Sequence, residues 1–332
     1  MKKILLAIPG DSSFLKPSLL TFKQLGWEVR NIDYRKTDIV AAAKNYFRLP
    51  KRITDELTCH DRPSIKRVIA NSEILRVAKS WKPDLFMTFK GEIILLDTVL
   101  RLKKLGILAV NWYPDHLPNS GKNSDFIKAY DCFVYWDAWR TKIYHKNGFR
   151  NVLYLPFCTM PEQKAAPNNK RYNINFIANW QAHREAKIAP VAKYGLKIWG
   201  GKQWRNSTLS KCYQGGPITV EEMIKIIRVT KINLNVHVVE NIYSEGTNVR
   251  TFEVTGAGGF LLANKRKSLY NLFDPGKEIE VFENSKELIE KTKFYLKNDF
   301  AREKIAGAGW RRTKMDHTYL KRFQALLKYL NI

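Results

Sequence analysis

The chain has 332 residues, 45% of them hydrophobic and 12% aromatic. That is enough for two domains with real cores and too apolar for a disordered chain. Its 57 Lys and Arg against 31 Asp and Glu give a net charge of +26. The excess is no detachable tail: residues 1–160 carry 27 basic and 15 acidic residues (+12), and residues 161–332 carry 30 and 16 (+14). Such a field favours a polyanionic partner, whether an anionic membrane surface, a phosphorylated glycan or DNA. The four cysteines, Cys59, Cys132, Cys158 and Cys212, are widely spaced. They argue against a disulfide framework or a zinc site and for a reducing compartment.

The run Lys3–Ile8 is too short for a leader core and reads as a first strand, stopped at Pro9-Gly10-Asp11. Helical spacing over Lys16–Leu25 ends at Gly26, and Trp27–Ile32 is the next strand. Pro63–Trp81 is helical, Leu85–Phe89 a strand, Leu95–Leu105 a helix stopped by Gly106, and Ile107–Trp112 a strand. Phe126–Tyr130, Cys132–Tyr135, Trp139–Lys146 and Val152–Leu155 continue the alternation. Repeated βα units predict a mainly parallel sheet with helices on both faces. The polar, Pro-containing stretch 159–171 reads as a linker between an N-terminal domain, 1–160, and a C-terminal one, 170–332.

The second half repeats the pattern. Ile174–Ala178 is a strand, Glu185–Lys193 a helix, Leu196–Trp199 a strand and Val220–Val229 a helix. Lys231–Val238 alternates, with Ile232, Leu234, Val236 and Val238 on one face. Gly259–Ala263 and Glu278–Phe282 are strands. Asn284 with Glu287 carries the signature of a capping box for a helix running to Leu296. Phe300–Met315 and Tyr319–Leu330 close the chain as helices, the last expected to pack back on the first domain. No apolar run approaches the roughly 20 residues that span a bilayer.

The most informative stretch is Ser-Glu245-Gly-Thr-Asn-Val-Arg-Thr-Phe-Glu253, which runs into Val-Thr-Gly-Ala-Gly-Gly-Phe-Leu-Leu. It predicts a turn over Tyr243–Asn248, then a short helix from Asn248 to about Thr255 whose free N–H groups and positive dipole end suit a phosphate. Gly246 allows close backbone approach. Arg250 and Glu253 lie one turn apart on one face. A carboxylate accepts hydrogen bonds in pairs, which suits the vicinal hydroxyls of ribose or hexose. The plainer alternative is a surface ion pair followed by an ordinary glycine cap.

Several runs resemble the CgeB-like glycosyltransferases: Ile232-Asn-Leu-Asn-Val, Gly246 through Leu262, Leu272-Phe with Ile279-Glu-Val-Phe, and Ile305-Ala-Gly-Ala-Gly-Trp-Arg with His317-Thr-Tyr and Arg322. The likeness covers about residues 172–325. It is weaker in the first half, at Lys82-Pro-Asp-Leu, Lys90-Gly and Trp112-Tyr-Pro-Asp115. The resemblance implies the GT-B fold, in which two Rossmann-like domains face each other across a cleft, and transfer of a sugar from a nucleotide-sugar donor. It implies that Glu253, the second glutamate of an E-x₇-E pattern, binds the donor ribose and that Glu245 contacts the donor sugar. Thr247 and Asn248 would offer N–H groups to the pyrophosphate. Arg184 and Lys187 sit where related enzymes place basic residues on the diphosphate, though their spacing departs from the commoner pattern.

No Asp-x-Asp motif is present, so metal-independent transfer is expected, with cationic side chains and a helix dipole stabilising the leaving diphosphate. The E-x₇-E likeness implies retention at the anomeric carbon. An inverting enzyme would need a base from the first domain, and Asp11, Asp115 and His116, each after a strand, are the candidates. The acceptor is expected on the first domain, where residues 35–67 carry nine basic and four acidic residues with Tyr46, Phe47 and Leu49 among them. The leading expectation is a cytoplasmic enzyme, peripheral at the inner membrane face, that builds a surface or lipid-linked glycan. The alternatives are a transferase acting on hydroxylated bases in DNA and a nucleotide-sugar-binding protein or epimerase on the same fold.

Overall fold

A computed structural model describes residues 1–35, 65–115, 123–162, 169–238 and 246–332. It resolves into two compact units: unit 1 comprises 1–136, 141–155 and 327–332, and unit 2 comprises 137–140 and 156–326.

Unit 1 is built on a six-stranded, all-parallel sheet. Its strands are β1 (Lys3–Ala7), β2 (Glu28–Ile32), β3 (Leu85–Phe89), β4 (Leu108–Tyr113), β5 (Cys132–Tyr135) and β6 (Val152–Tyr154), in the order β2-β1-β3-β4-β5-β6. The connecting helices are α1 (Leu15–Gln24), α2 (Ile65–Trp81), α3 (Leu96–Lys104), α4 (Asn123–Ala129) and α5 (Ala138–Lys146). Strand β3 is buried along its whole length, as expected of a central parallel strand with helices on both faces.

Unit 2 carries a second six-stranded parallel sheet, in the order β12-β11-β10-β7-β8-β9. The strands are β7 (Tyr172–Ile177), β8 (Leu196–Trp199), β9 (Tyr213–Gly215), β10 (Thr230–Asn235), β11 (Leu261–Asn264) and β12 (Glu280–Phe282). Counted from β7, this is the 3-2-1-4-5-6 order of a dinucleotide-binding sheet. Its helices are α6 (Ala182–Ile188), α7 (Val220–Arg228), α8 (Val249–Gly256), α9 (Lys267–Leu272), α10 (Ser285–Lys297) and α11 (Asp299–Asp316), and α12 (Tyr319–Tyr329) ends the chain. The core gathers Ile174, Phe176, Ile198, Trp204, Ile232, Leu234, Phe260 and Leu288. The indole N–H of Trp204 is satisfied there by the Ala178 carbonyl at 2.8 Å.

Three local expectations need correction. The alternation over Lys231–Val238 marks a strand that stops at Asn235, and both its faces are covered, since every residue but Lys231 is buried. Its asparagines are therefore buried with partners: Asn175 Nδ2 donates to Asn233 Oδ1 at 2.6 Å, and Asn233 Nδ2 to the Phe260 carbonyl at 3.2 Å. The helix expected over Glu185–Lys193 is α6 followed by a 3₁₀ segment, Ala189–Tyr194. Pro190 has no N–H to continue the α-helical ladder. Asn284 does cap α10, accepting from Glu287 N at 3.0 Å, but the Glu287 carboxylate takes the N–H of Glu283 at 2.8 Å, so no capping box closes. A complete box forms instead at Thr219 and Glu222, at the start of α7.

The motif His317-Thr-Tyr with Arg322 turns out to be an anchor within unit 2. His317 Nε2–H donates to the Leu272 carbonyl at 2.9 Å, leaving Nδ1 to accept from Arg322 Nη2 at 2.9 Å. Arg322 Nε donates to the Pro156 carbonyl at 2.8 Å and Nη1 to the Asp316 carbonyl at 2.8 Å. Burial pushes His317 down to about 4, consistent with a neutral ring held by these two bonds. Among the described residues Cys132, Cys158 and Cys212 are free, and no helix is long and apolar enough to cross a membrane.

Candidate functional site

In an open parallel sheet, ligands bind outside the carboxyl ends of the strands, where the strand order reverses. In unit 2 that point lies between β7 and β10, and the polar groups of the unit gather there. Helix α8 starts beside it. Its N-cap, Asn248, accepts from Thr251 N at 3.4 Å, and its amide pairs reciprocally with that of Asn235 at the end of β10 (2.9 and 3.0 Å). Asn235 Nδ2 also reaches Thr251 Oγ1 at 3.1 Å. The two hydroxyls of Thr247 and Ser268 lie 2.6 Å apart and are buried. The start of α8 is thus pinned to the sheet edge by side-chain amides before any ligand arrives.

The opposite side of α8 fixes the rest of the helix. Phe252 is fully buried. Its ring sits 5.2 Å from that of His317 and 6.0 Å from that of Phe273, centroid to centroid. Burial of that ring contributes about 1.5–3 kcal/mol. The Thr255 and Thr313 hydroxyls meet at 2.7 Å and bind α8 to α11. Gly256 ends the helix where any Cβ would collide with the Thr159 methyl, and Gly258 turns the chain back to β11 at φ +78°, a conformation that favours glycine. On another flank of this helix Glu253 Oε2 lies 2.8 Å from Arg250 Nη1, with both side chains mostly buried. Arg250 Nη1 also touches the Met223 sulfur on α7.

Two arginines and two histidines line the ends of β7 and β10. Arg184, buried on α6, donates from Nε to the Val236 carbonyl at 3.1 Å and from Nη1 to the Asn179 carbonyl at 3.0 Å. His183 Nε2–H meets the His237 carbonyl at 3.2 Å. Arg266, after β11, donates from Nη2 to the Val238 carbonyl at 2.7 Å. Burial holds the Arg266 guanidinium below its usual range, and the attraction of Asp137 opposes that. His237 is buried, and Asn264 Oδ1 accepts from both its backbone N–H (2.8 Å) and its Nδ1 (2.9 Å). Burial pushes His237 down to about 4; Arg266 and Arg184 push the same way, and the Asn264 bond opposes them.

In unit 1 the strand order reverses between β1 and β3. Asp11 follows β1 and pairs with Arg35 at 2.7 and 2.8 Å, both side chains being exposed. Lys90 follows β3 in a left-handed backbone conformation, φ +65°, unusual outside glycine. Its carbonyl accepts from Asn111 Nδ2 at 3.1 Å, and its ammonium reaches Asp115 Oδ2 at 2.8 Å and Glu92 Oε1 at 3.5 Å. The hydrogen bond to Asp115 raises the Lys90 ammonium above its usual range, against some burial. The Tyr113 hydroxyl donates to Glu92 Oε1 at 3.0 Å, and burial, then Glu92, raise its pKa.

The comparisons with known proteins agree on the architecture. Residues 180–328 match the family described as glycosyl transferase-like. No curated protein matches the chain. Among solved structures, sucrose-phosphate synthase from Thermosynechococcus elongatus superposes with a TM-score of 0.66 at 12% identity, covering 99% of each chain. A glycosyltransferase from Rickettsia africae gives 0.63 at 12% identity over 99% of this chain and 97% of its own. Anabaena Alr3699/HepE, solved in complex with UDP-glucose, gives 0.61 at 9% identity over 100% of both chains. The chain has the GT-B fold.

Of the residues singled out in the sequence, the structure brings Arg250, Glu253, Asn248, Thr247 and the buried Gly246 together at the start and flank of α8, and it places Arg184 at the switch point. Lys187 is half-buried in the last turn of α6, three residues from Arg184. Asp11 and Asp115 are both at strand carboxyl ends of unit 1 and both ion-paired. Glu245 and His116 lie outside the described residues, as does 36–64 of the basic stretch. Of its described members, Arg35 is the partner of Asp11, and Arg67 Nε donates to the Ile93 carbonyl at 3.1 Å. Sequence reasoning missed Asn235, His237, Asn264 and Arg266. The signal available was positional: Asn235 and His237 fall in the second half of the stretch Lys231–Val238, and Asn264 and Arg266 just past the strand Gly259–Ala263. Among the described residues no cluster of His, Cys, Asp and Glu could hold a metal ion.

Proposed function

We propose that this protein is a CgeB-like glycosyltransferase that uses the E-x₇-E pattern of Glu245 and Glu253 to hold a nucleotide-sugar donor on unit 2. The observation that carries the reading is the Arg250–Glu253 pair, 2.8 Å apart on a helix whose N-cap is tied to the end of β10. Glu253 accepts from the ribose hydroxyls, and Arg250 orients its carboxylate. The N–H groups of Thr247 and Asn248 and the positive end of α8 receive the pyrophosphate, with Arg184 and Lys187 as the nearby cations. Glu245 reads the transferred sugar.

In this reading the reaction is metal-independent. The developing charge on the leaving diphosphate is met by fixed N–H dipoles and cations that need no reorganisation. The likeness to Anabaena Alr3699/HepE, which was solved with UDP-glucose, supports a sugar nucleotide as the donor. Retention follows from the E-x₇-E likeness. Asp115, a candidate base for inversion, is instead engaged by the Lys90 ammonium at 2.8 Å. The net charge of +26 supports an anionic acceptor, which we assign to a surface or lipid-linked glycan presented at the inner membrane face and bound by unit 1.

The test is a thermal-shift screen of UDP-, GDP-, ADP- and dTDP-sugars, since a ligand of the native state raises the midpoint. One donor should raise it, and transfer from that donor to a glycan acceptor should persist in chelator with the anomeric configuration kept. A screen in which no sugar nucleotide moves the midpoint sinks the reading. Salt-sensitive transfer to hydroxylated DNA in place of glycan would move the acceptor assignment.

A further inference from the structure

Three successive carbonyls after β10 are all engaged: Val236 by Arg184, His237 by His183 and Val238 by Arg266. They fix the backbone on either side of the His237 side chain. Its tautomer follows from its neighbour. Asn264 Oδ1 accepts the backbone N–H of His237 at 2.8 Å, which settles that atom as the amide oxygen, so the ring nitrogen 2.9 Å away must be Nδ1–H. The lone pair is then on Nε2. That atom is buried and has no hydrogen-bond partner among the described residues, and the whole residue is only 2% exposed. A buried acceptor left without a donor costs about 1–3 kcal/mol. Orphaned groups of this kind call for an explanation such as a ligand or a trapped water.

The position favours a ligand. His237 stands at the reversal of strand order in unit 2, across from Arg184 after β7 and beside Asn264 and Arg266 after β11. Two guanidinium groups suit phosphate oxygens, but a bare imidazole lone pair cannot face a phosphate oxygen, which is itself an acceptor. It needs a donor, and in a sugar nucleotide the donors beside the diphosphate are hydroxyls.

We propose that His237 Nε2 accepts a hydrogen bond from a hydroxyl of the bound sugar nucleotide, making His237 a specificity-determining residue of the donor site. The proposal rests on the donor-site reading given above. The hydroxyl belongs either to the nucleotide ribose or to the transferred sugar. Selection follows from the chemistry: a donor lacking that hydroxyl leaves Nε2 buried and unpaired.

Calorimetry of UDP, UDP-glucose, GDP, GDP-mannose, ADP and ADP-glucose with the native protein and with His237→Phe and His237→Gln tests this. His237→Phe keeps the ring volume and loses the acceptor; His237→Gln restores an acceptor oxygen. The expected result is a roughly tenfold loss of affinity in His237→Phe, partly recovered in His237→Gln. Loss for the sugar nucleotide alone assigns the hydroxyl to the sugar, and loss for the free nucleotide as well assigns it to the ribose. Equal affinity of native and His237→Phe proteins for both overturns the inference while leaving the donor site standing. A native protein that binds none of the six fails the donor-site reading itself. Should His237→Phe not fold, the ¹⁵N resonance of His237 Nε2 in the native protein decides: it should move on saturation with the ligand that binds, and a fixed resonance points to a trapped water and overturns the proposal.

Discussion

The two units share one plan, a six-stranded parallel sheet with polar residues at the carboxyl ends of its strands, yet those ends are finished differently. In unit 1 the ion pairs there stand in water, Asp11 with Arg35 and Lys90 with Asp115, all substantially exposed, beside the buried amide of Asn111 on the Lys90 carbonyl. In unit 2 the ends carry buried amides, imidazole and guanidinium: Asn235, Asn264, His237 and Arg184. Exposed ion pairs contribute little to stability and rearrange readily. Buried polar groups are costly unless each is satisfied, and once satisfied they hold one geometry. The difference teaches that the strand ends of unit 2 are held in one geometry by buried polar contacts, as the donor site proposed there requires, whereas the ion pairs of unit 1 are free to rearrange.

The largest way to strain this contrast is pH. His237 and His317, both in unit 2, fold with values near 4 against about 6.5 in an unfolded chain. The unfolded state therefore binds more protons between those values. Stability is complete above about pH 6.5 and falls as the pH drops toward 4, by up to roughly 3 kcal/mol for each ring. Denaturant unfolding of unit 2 at pH 7 and pH 5 should show the loss beginning, and a flat profile across that window would contradict the buried neutral rings.

Next in size is Asn235→Ala. It removes one partner each from Asn248 and Thr251 and should cost about 1–3 kcal/mol, read as a lower denaturation midpoint, with loosened protection of the α8 amides. The smallest effect is expected in unit 1. Lys90→Gly removes the exposed ion pair and relieves a left-handed backbone, so the two terms should offset to within about 1 kcal/mol. A loss as large as that of Asn235→Ala would mean that the edges of the two units are not finished differently after all.

The fold was largely legible because parallel βα units write it in apolar runs and glycine stops, and those survive local misreading. The strand at Thr230–Asn235 was found although its alternation suggested one buried face and it has two. The site was legible only where one stretch of chain holds it together: Arg250 and Glu253, three residues apart, could be paired on paper. His237, Asn264 and Arg266 could not, because what joins them is the adjacency of β10 and β11, a tertiary fact. In the same way the motif of His317 and Arg322, which entered the sequence reading only as part of a family likeness, is an anchor whose partners, the distant carbonyls of Leu272 and Pro156, are visible only in the fold.

The central claim is that Glu253 holds a sugar nucleotide on unit 2. The most direct measurement is the affinity of the donor for Glu253→Gln beside the native protein, with melting followed in parallel. Removing one charged acceptor of paired hydroxyls should weaken binding about 10- to 100-fold while the fold stays intact. A variant that binds its donor as tightly as the native protein would contradict the account.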